Sequence, residues 1–121
     1  MSDNKAAKQL AKLDDKTRKI VDEILLRKKT GYFKLRINGD SMYPCLKDGD
    51  MVNVSAVDLN LIAPGDIIVY RAFESHLTAH RVVDVVRLGE GRARFITKGD
   101  NNGYVDRYGV DFGRVLGRVV Q

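Results

Sequence analysis

The sequence contains one cysteine, Cys45, no tryptophan and two prolines in 121 residues. A single cysteine excludes an internal disulfide framework and a zinc site built from several thiolates, and it fits a reducing compartment. Histidine is equally scarce. His76 and His80 are four apart, a metal-pair spacing on a helix, but the residues after them read as a strand and no third histidine or second cysteine exists. No metal and no cofactor is therefore expected. No run of 18 apolar residues occurs, so neither a membrane span nor a signal-peptide core is predicted. Internal repeats and low-complexity tracts are absent too. What is there is the composition of one globular domain: 44% hydrophobic and 31% charged residues, with 11 glycines.

Charge is unevenly placed. Residues 1–30 hold nine Lys/Arg and five Asp/Glu, which leaves the rest of the chain almost neutral. From about 4 to 29 there is no Gly or Pro, and Leu10, Leu13, Thr17, Ile20 and Ile24 fall on one helical stripe. This predicts a basic amphipathic helix, with a break near Asp14–Asp15. A solvated basic face is the default reading of its charge. Its apolar stripe is expected to pack on the domain or a protein partner. Peripheral attachment to an anionic membrane is a lesser alternative, because residues 1–30 lack Trp and Phe. Specific nucleic-acid recognition is not expected, and a homodimer is compatible with the pattern.

From Gly31 the texture changes to β-branched residues punctuated by glycine. "KLRIN", "MVNVSAV", "IIVYRA", "HRVVDVVRL", "ARFITK" and "RVLGRVV" read as strands, separated by turn signals such as "KDGD" and "APGD". The predicted fold is mainly β, a closed or partly open barrel-like core over 31–121, preceded by the helix of 1–30.

The hairpin around Gly89-Glu90-Gly91 carries the first chemical signal. A three-residue loop pairs Leu88 with Arg92, Val85 with Phe95 and Val83 with Thr97. His80 and Lys98 then share the opposite face with Val82, Asp84, Val86, Arg94 and Ile96. At its open end His80 falls opposite Asp100, within imidazole–carboxylate reach. A two-residue loop would instead turn His80 away. A carboxylate that orients a histidine is half of a Ser-His-Asp system, although salt-linked histidines on polar sheet faces are common.

The other half is "GDSMYPCL", residues 39–46. Gly39 permits an unusual backbone before Ser41, and Pro44 restrains the chain after it. Main-chain N–H groups of such a turn, in the stretch Asp40-Ser41-Met42, can serve as oxyanion donors. Met42 is expected to pack beside the cleft, and Cys45 to lie beneath the loop, with no base beside it to make it the nucleophile. "DNNGYVD", residues 100–106, has a faint calcium-loop look without the ligand spacing or closing Glu, and reads as a turn.

Four blocks now stand in order: "GDSMYPCLKDGDMVNV", "PGDIIVY", "AHRVV" and "ITKGDNN". Together they cover about residues 39–102 and resemble the motifs of the type I signal peptidase superfamily, which includes the self-cleaving SOS-response repressors. The resemblance implies a β-rich serine peptidase in which the Ser of Ser-Met attacks the scissile bond. Bacterial signal peptidases and the repressors place a Lys before the Arg of the third block. The archaeal and endoplasmic-reticulum enzymes place a His there, as here. Ser41, His80 and Asp100 are the implied catalytic residues, with Asp106 the alternative acid. Lys98 is a second-choice base of a Ser-Lys pair. The N-terminal segment departs from both groups, carrying neither a membrane anchor nor a helix-turn-helix module. The reading is a cytoplasmic serine endopeptidase acting on a leader peptide or protein. The alternative is a peptidase-like module that binds a peptide or partner, or regulates, without turnover.

Overall fold

The computed structural model describes residues 32–56, 58–72 and 76–120. Its strands are β1 (Tyr32–Arg36), β2 (Met51–Ser55), β3 (Ile67–Arg71), β4 (Leu77–Gly89), β5 (Arg92–Lys98), β6 (Val110–Asp111) and β7 (Val115–Val120). Among the described residues two single 3-10 turns, Leu59–Leu61 and Phe112–Arg114, sit in the connections. All pairings are antiparallel, in the order β1-β2-β7-β3-β4-β5-β6. The sheet is open, with β1 and β6 at its edges, rather than closed as a barrel. The helix expected over 4–29 lies outside the described residues.

Six of the seven strands coincide with predicted apolar runs. The two-residue β6 is too short to leave an alternation in the sequence. Central β3 is buried on both faces, as its continuous run "IIVY" requires. Ile67 and Val69 join a cluster with Phe33, Ile37, Met42, Leu46, Val52 and Val54. Ile68 and Tyr70 join a second cluster with Ile62, Val82, Phe95 and Val110. The loop that carries Ser41 is fastened to the first cluster, and the strand that carries His80 to the second.

The β4–β5 hairpin corrects the predicted register. Val85 pairs with Phe95 and Val86 with Arg94, as expected, but at the loop a register shift pairs Gly89, not Leu88, with Arg92. Between Val82 and Asp84 the ladder slips by one residue, so Val82, not Val83, pairs with Thr97. Val83 is the extra residue of a β-bulge. Val83 and Asp84 both face solvent, while Val82 and Thr97 are fully buried. A one-residue slip moves every later side chain to the other face. His80 therefore shares the buried face with Val82 and Thr97. Arg81 pairs with Lys98, so Lys98 leaves the face assigned to it beside His80.

Candidate active site

The serine loop is built by local bonds. Gly39 takes a φ of +87°, which side chains disfavour, and its N–H donates to Asp48 Oδ1 at 2.8 Å. The Tyr43 N–H donates to the Asp40 carbonyl at 3.1 Å, and the Leu46 N–H to the Met42 carbonyl at 2.9 Å. The Tyr43–Pro44 peptide is cis. Met42 and Leu46 are buried in the first cluster, which leaves Ser41 half-buried at the rim. Cys45 is exposed rather than packed beneath the loop, and its Sγ accepts from Arg81 Nη2 at 3.4 Å.

The loop after β5 closes over this turn. The Asn101 N–H donates to the Ser41 carbonyl at 2.8 Å, Asn101 Nδ2 to the Asp40 carbonyl at 3.1 Å, and the Asp100 N–H to Met42 Sδ at 3.3 Å. Gly99 makes the approach possible. A Cβ there would lie 2.7 Å from the Ser41 carbonyl oxygen and 2.6 Å from Asn102 Nδ2.

His80 arrives from β4, where it pairs with Ile68 of β3. Its Nε2 lies 3.1 Å from Ser41 Oγ, and its Nδ1 lies 2.6 Å from Asp106 Oδ2. Only 9% of His80 is exposed. The Asp106 N–H donates to the Thr97 carbonyl at 2.7 Å, which anchors the loop back onto β5. The same Oδ2 accepts from Thr97 Oγ1 at 2.7 Å and from the Tyr70 hydroxyl at 3.2 Å. Burial, above all, pushes the Tyr70 phenol up to about 12.

Asp100 is not the acid seated on His80. It gives both carboxylate oxygens to Arg81, with Oδ1 accepting from Nε at 2.8 Å and Oδ2 from Nη2 at 2.7 Å. That bidentate bond holds the Asp100 carboxyl below the usual carboxylate range. Arg81 Nη1 also donates to the Gly65 carbonyl at 2.7 Å. Arg81 thereby ties the turn before β3, the serine loop and the loop after β5 to one side chain. The reason for the exchange is the bulge. His80 faces the buried side, where Asp106 returns, and Arg81 faces the side of Lys98 and Asp100. The sequence offered Asp106 only as a second choice. Arg81 and Tyr70 carried no local signal, because their partners lie 10 to 36 residues away.

Lys98 Nζ donates to the Gly99 carbonyl at 3.3 Å. His76 is exposed. Among the described residues no group of three or more His, Cys, Asp or Glu is placed to hold a metal ion, and no helix is long and apolar enough to cross a membrane.

A serine, a histidine and an aspartate in one line is the arrangement expected of a serine peptidase, and comparison with known proteins agrees on the family. The peptidase S24-like family model matches residues 4–120. The chain belongs to the peptidase S24-like family. A curated relative is signal peptidase I W of Bacillus subtilis (strain 168), 31% identical over 77 residues. That match covers 63% of this chain and 40% of the relative's length. The signal-peptidase-like character inferred from the four sequence blocks thus stands, and membership of the S24-like family makes a peptidase-type hydrolase the family-level assignment.

Proposed function

We propose that this S24-like chain is a serine endopeptidase whose catalytic residues are Ser41, His80 and Asp106. The observation that carries the reading is the continuous relay from Ser41 Oγ to His80 Nε2 at 3.1 Å and from His80 Nδ1 to Asp106 Oδ2 at 2.6 Å. Asp106 accepts a hydrogen bond from the Nδ1–H, which leaves the Nε2 lone pair facing the serine hydroxyl. His80 takes the hydroxyl proton as Ser41 attacks a peptide carbonyl, and the imidazolium that forms is stabilised by Asp106. The Ser41 N–H, at the turn that exposes Oγ, is the oxyanion donor. His80 then gives its proton to the leaving amine, and water hydrolyses the acyl-enzyme by the same route in reverse.

The substrate is an extended peptide, from a leader sequence or a protein, laid along a strand edge with small side chains beside the cut. The setting is cytoplasmic, with the basic N-terminal segment meeting a protein or membrane surface. The test is cleavage of a peptide library by the full chain and by Ser41→Ala and His80→Ala, with fluorophosphonate labelling of the serine. Each variant is expected to lose about 10³- to 10⁶-fold in kcat and Ser41→Ala to lose labelling. A wild-type chain that neither cleaves nor labels, or a Ser41→Ala chain that cleaves as well, would leave the non-catalytic binding module as the function.

A further inference from the structure

One oxygen of Asp106 carries an unusual load. Oδ2 accepts from His80 Nδ1 at 2.6 Å, from Thr97 Oγ1 at 2.7 Å and from the Tyr70 hydroxyl at 3.2 Å. The three donors stand on three different strands: Tyr70 on β3, His80 on β4 and Thr97 on β5. One of them also approaches the other two. The Tyr70 hydroxyl is 3.5 Å from His80 Nδ1 and 3.5 Å from Thr97 Oγ1. The Tyr70 ring meets the imidazole edge-on, with centroids 6.3 Å apart and planes at 74°.

We propose that Tyr70 and Thr97 are positioning residues that fix Asp106 and, through it, the orientation of His80. The inference deepens the proposed function and rests on it for its kinetic consequence. The physical reason is one of rotation. Asp106 lies on a loop, and a loop carboxylate free to turn about its side-chain bonds would present Nδ1 with a variable acceptor. Thr97 holds this residue twice, by its carbonyl to the Asp106 N–H at 2.7 Å and by its hydroxyl to Oδ2. Tyr70 supplies the third donor from the far side of the histidine strand. Any rotation of the carboxylate breaks all three bonds together. With Oδ2 so held, Asp106 accepts a hydrogen bond from the imidazole, and His80 carries its proton on Nδ1. Burial keeps the Tyr70 phenol protonated, hence a donor, far into the alkaline range.

The alternative is that the two hydroxyls merely satisfy each other in the core, where buried polar groups need partners. Three substitutions separate the readings. Tyr70→Phe and Thr97→Val each delete one hydroxyl and preserve shape, whereas Thr97→Ser keeps the hydroxyl and loses a methyl group. For positioning residues, kcat for peptide cleavage falls about ten- to a hundred-fold in Tyr70→Phe and Thr97→Val. KM stays within about threefold, and Thr97→Ser retains kcat within about threefold. Wild-type kcat in both hydroxyl deletions overturns the proposal, as does a Thr97→Ser loss as large as that of Thr97→Val.

The second readout needs no turnover. The Nδ1 proton of His80, held against a carboxylate at 2.6 Å, gives a low-field proton resonance in the full-length chain. Each hydroxyl deletion is expected to shift or broaden it, and Thr97→Ser to preserve it. A resonance unmoved by both deletions overturns the proposal. A wild-type chain that cleaves nothing overturns the proposed function alone, and the resonance then decides the positioning role.

Discussion

Exchanging Asp106 for Asn preserves the side chain's size and reverses what it asks of His80. An amide can donate to Nδ1, which moves the imidazole proton to Nε2 and turns the base away from Ser41 Oγ. Cleavage by Asp106→Asn is expected to fall about 10³- to 10⁴-fold in kcat, measured on a peptide substrate of the wild-type chain. Asp100→Asn makes a different prediction. It breaks the bidentate bond to Arg81, whose guanidinium then keeps only Gly65 and Cys45 as partners among those described. Stability drops by about 1–2 kcal/mol, read as a lower denaturant midpoint, while kcat stays within about tenfold of wild type. Equal collapse of activity in both variants would contradict the assignment of the acid. Cys45 is exposed on the rim of the serine loop without a base of its own, so Cys45→Ala is expected to keep cleavage within about threefold in the same assay.

At the scale of elements, the site depends on how one strand is cut to length. The Val83 bulge lets β4 bury Val85 against Phe95 near the hairpin loop and still bury Val82 and His80 beside Thr97. With Val83 in the alternation and no bulge, one of those two segments would turn outward. Deleting Val83 removes the extra residue and leaves Val82–Thr97 and Asp84–Ile96 as consecutive pairs, so His80 is expected to keep its face and cleavage to stay within about tenfold of wild type in the peptide assay. A loss of about a hundred-fold or more in a folded deletion variant would show that the bulge does more than absorb one surplus residue. The loop after β5 makes a matching demand at Gly99. A methyl group there meets the Ser41 carbonyl oxygen at 2.7 Å, a contact that backbone must move to relieve. Gly99→Ala should lower stability by about 1–3 kcal/mol and slow cleavage, since the displaced group is the carbonyl of Ser41, the proposed nucleophile. Thermal unfolding and the peptide assay measure the two effects.

For the molecule as a whole, two groups give stability a defined pH dependence. The Tyr70 phenol titrates near 10 in the unfolded chain and at about 12 when folded. Between those values the folded state holds a proton that the unfolded state has lost, so Tyr70's contribution is complete below pH 10 and disappears as pH rises to 12. Tyr70→Phe should show a shallower decline over that window in urea midpoints. Asp100 works in the opposite direction. Its folded carboxyl titrates below the unfolded one because of Arg81, so its contribution is complete above the ordinary carboxylate range and is lost as pH falls through the folded value. Wild type should lose more stability than Asp100→Asn on acidification below about pH 4.

The sequence alone determined six of the seven described strands and singled out Ser41 and His80 as candidates. Alternating or continuous apolar runs carry strand identity within five to nine residues, and Gly39, Ser41 and Pro44 mark their turn by local backbone restrictions. The tertiary structure alone decided which aspartate meets His80. "HRVVDVVRL" reads as unbroken alternation, and nothing in it announces that Val83 is passed over by β5. The bulge is chosen by packing against Phe95 and Thr97, which are distant in sequence. Its one-residue phase change delivers His80 to Asp106 and Arg81 to Asp100. Openness of the sheet follows from the same kind of cause, since edges are settled by which strands find partners rather than by what any strand contains.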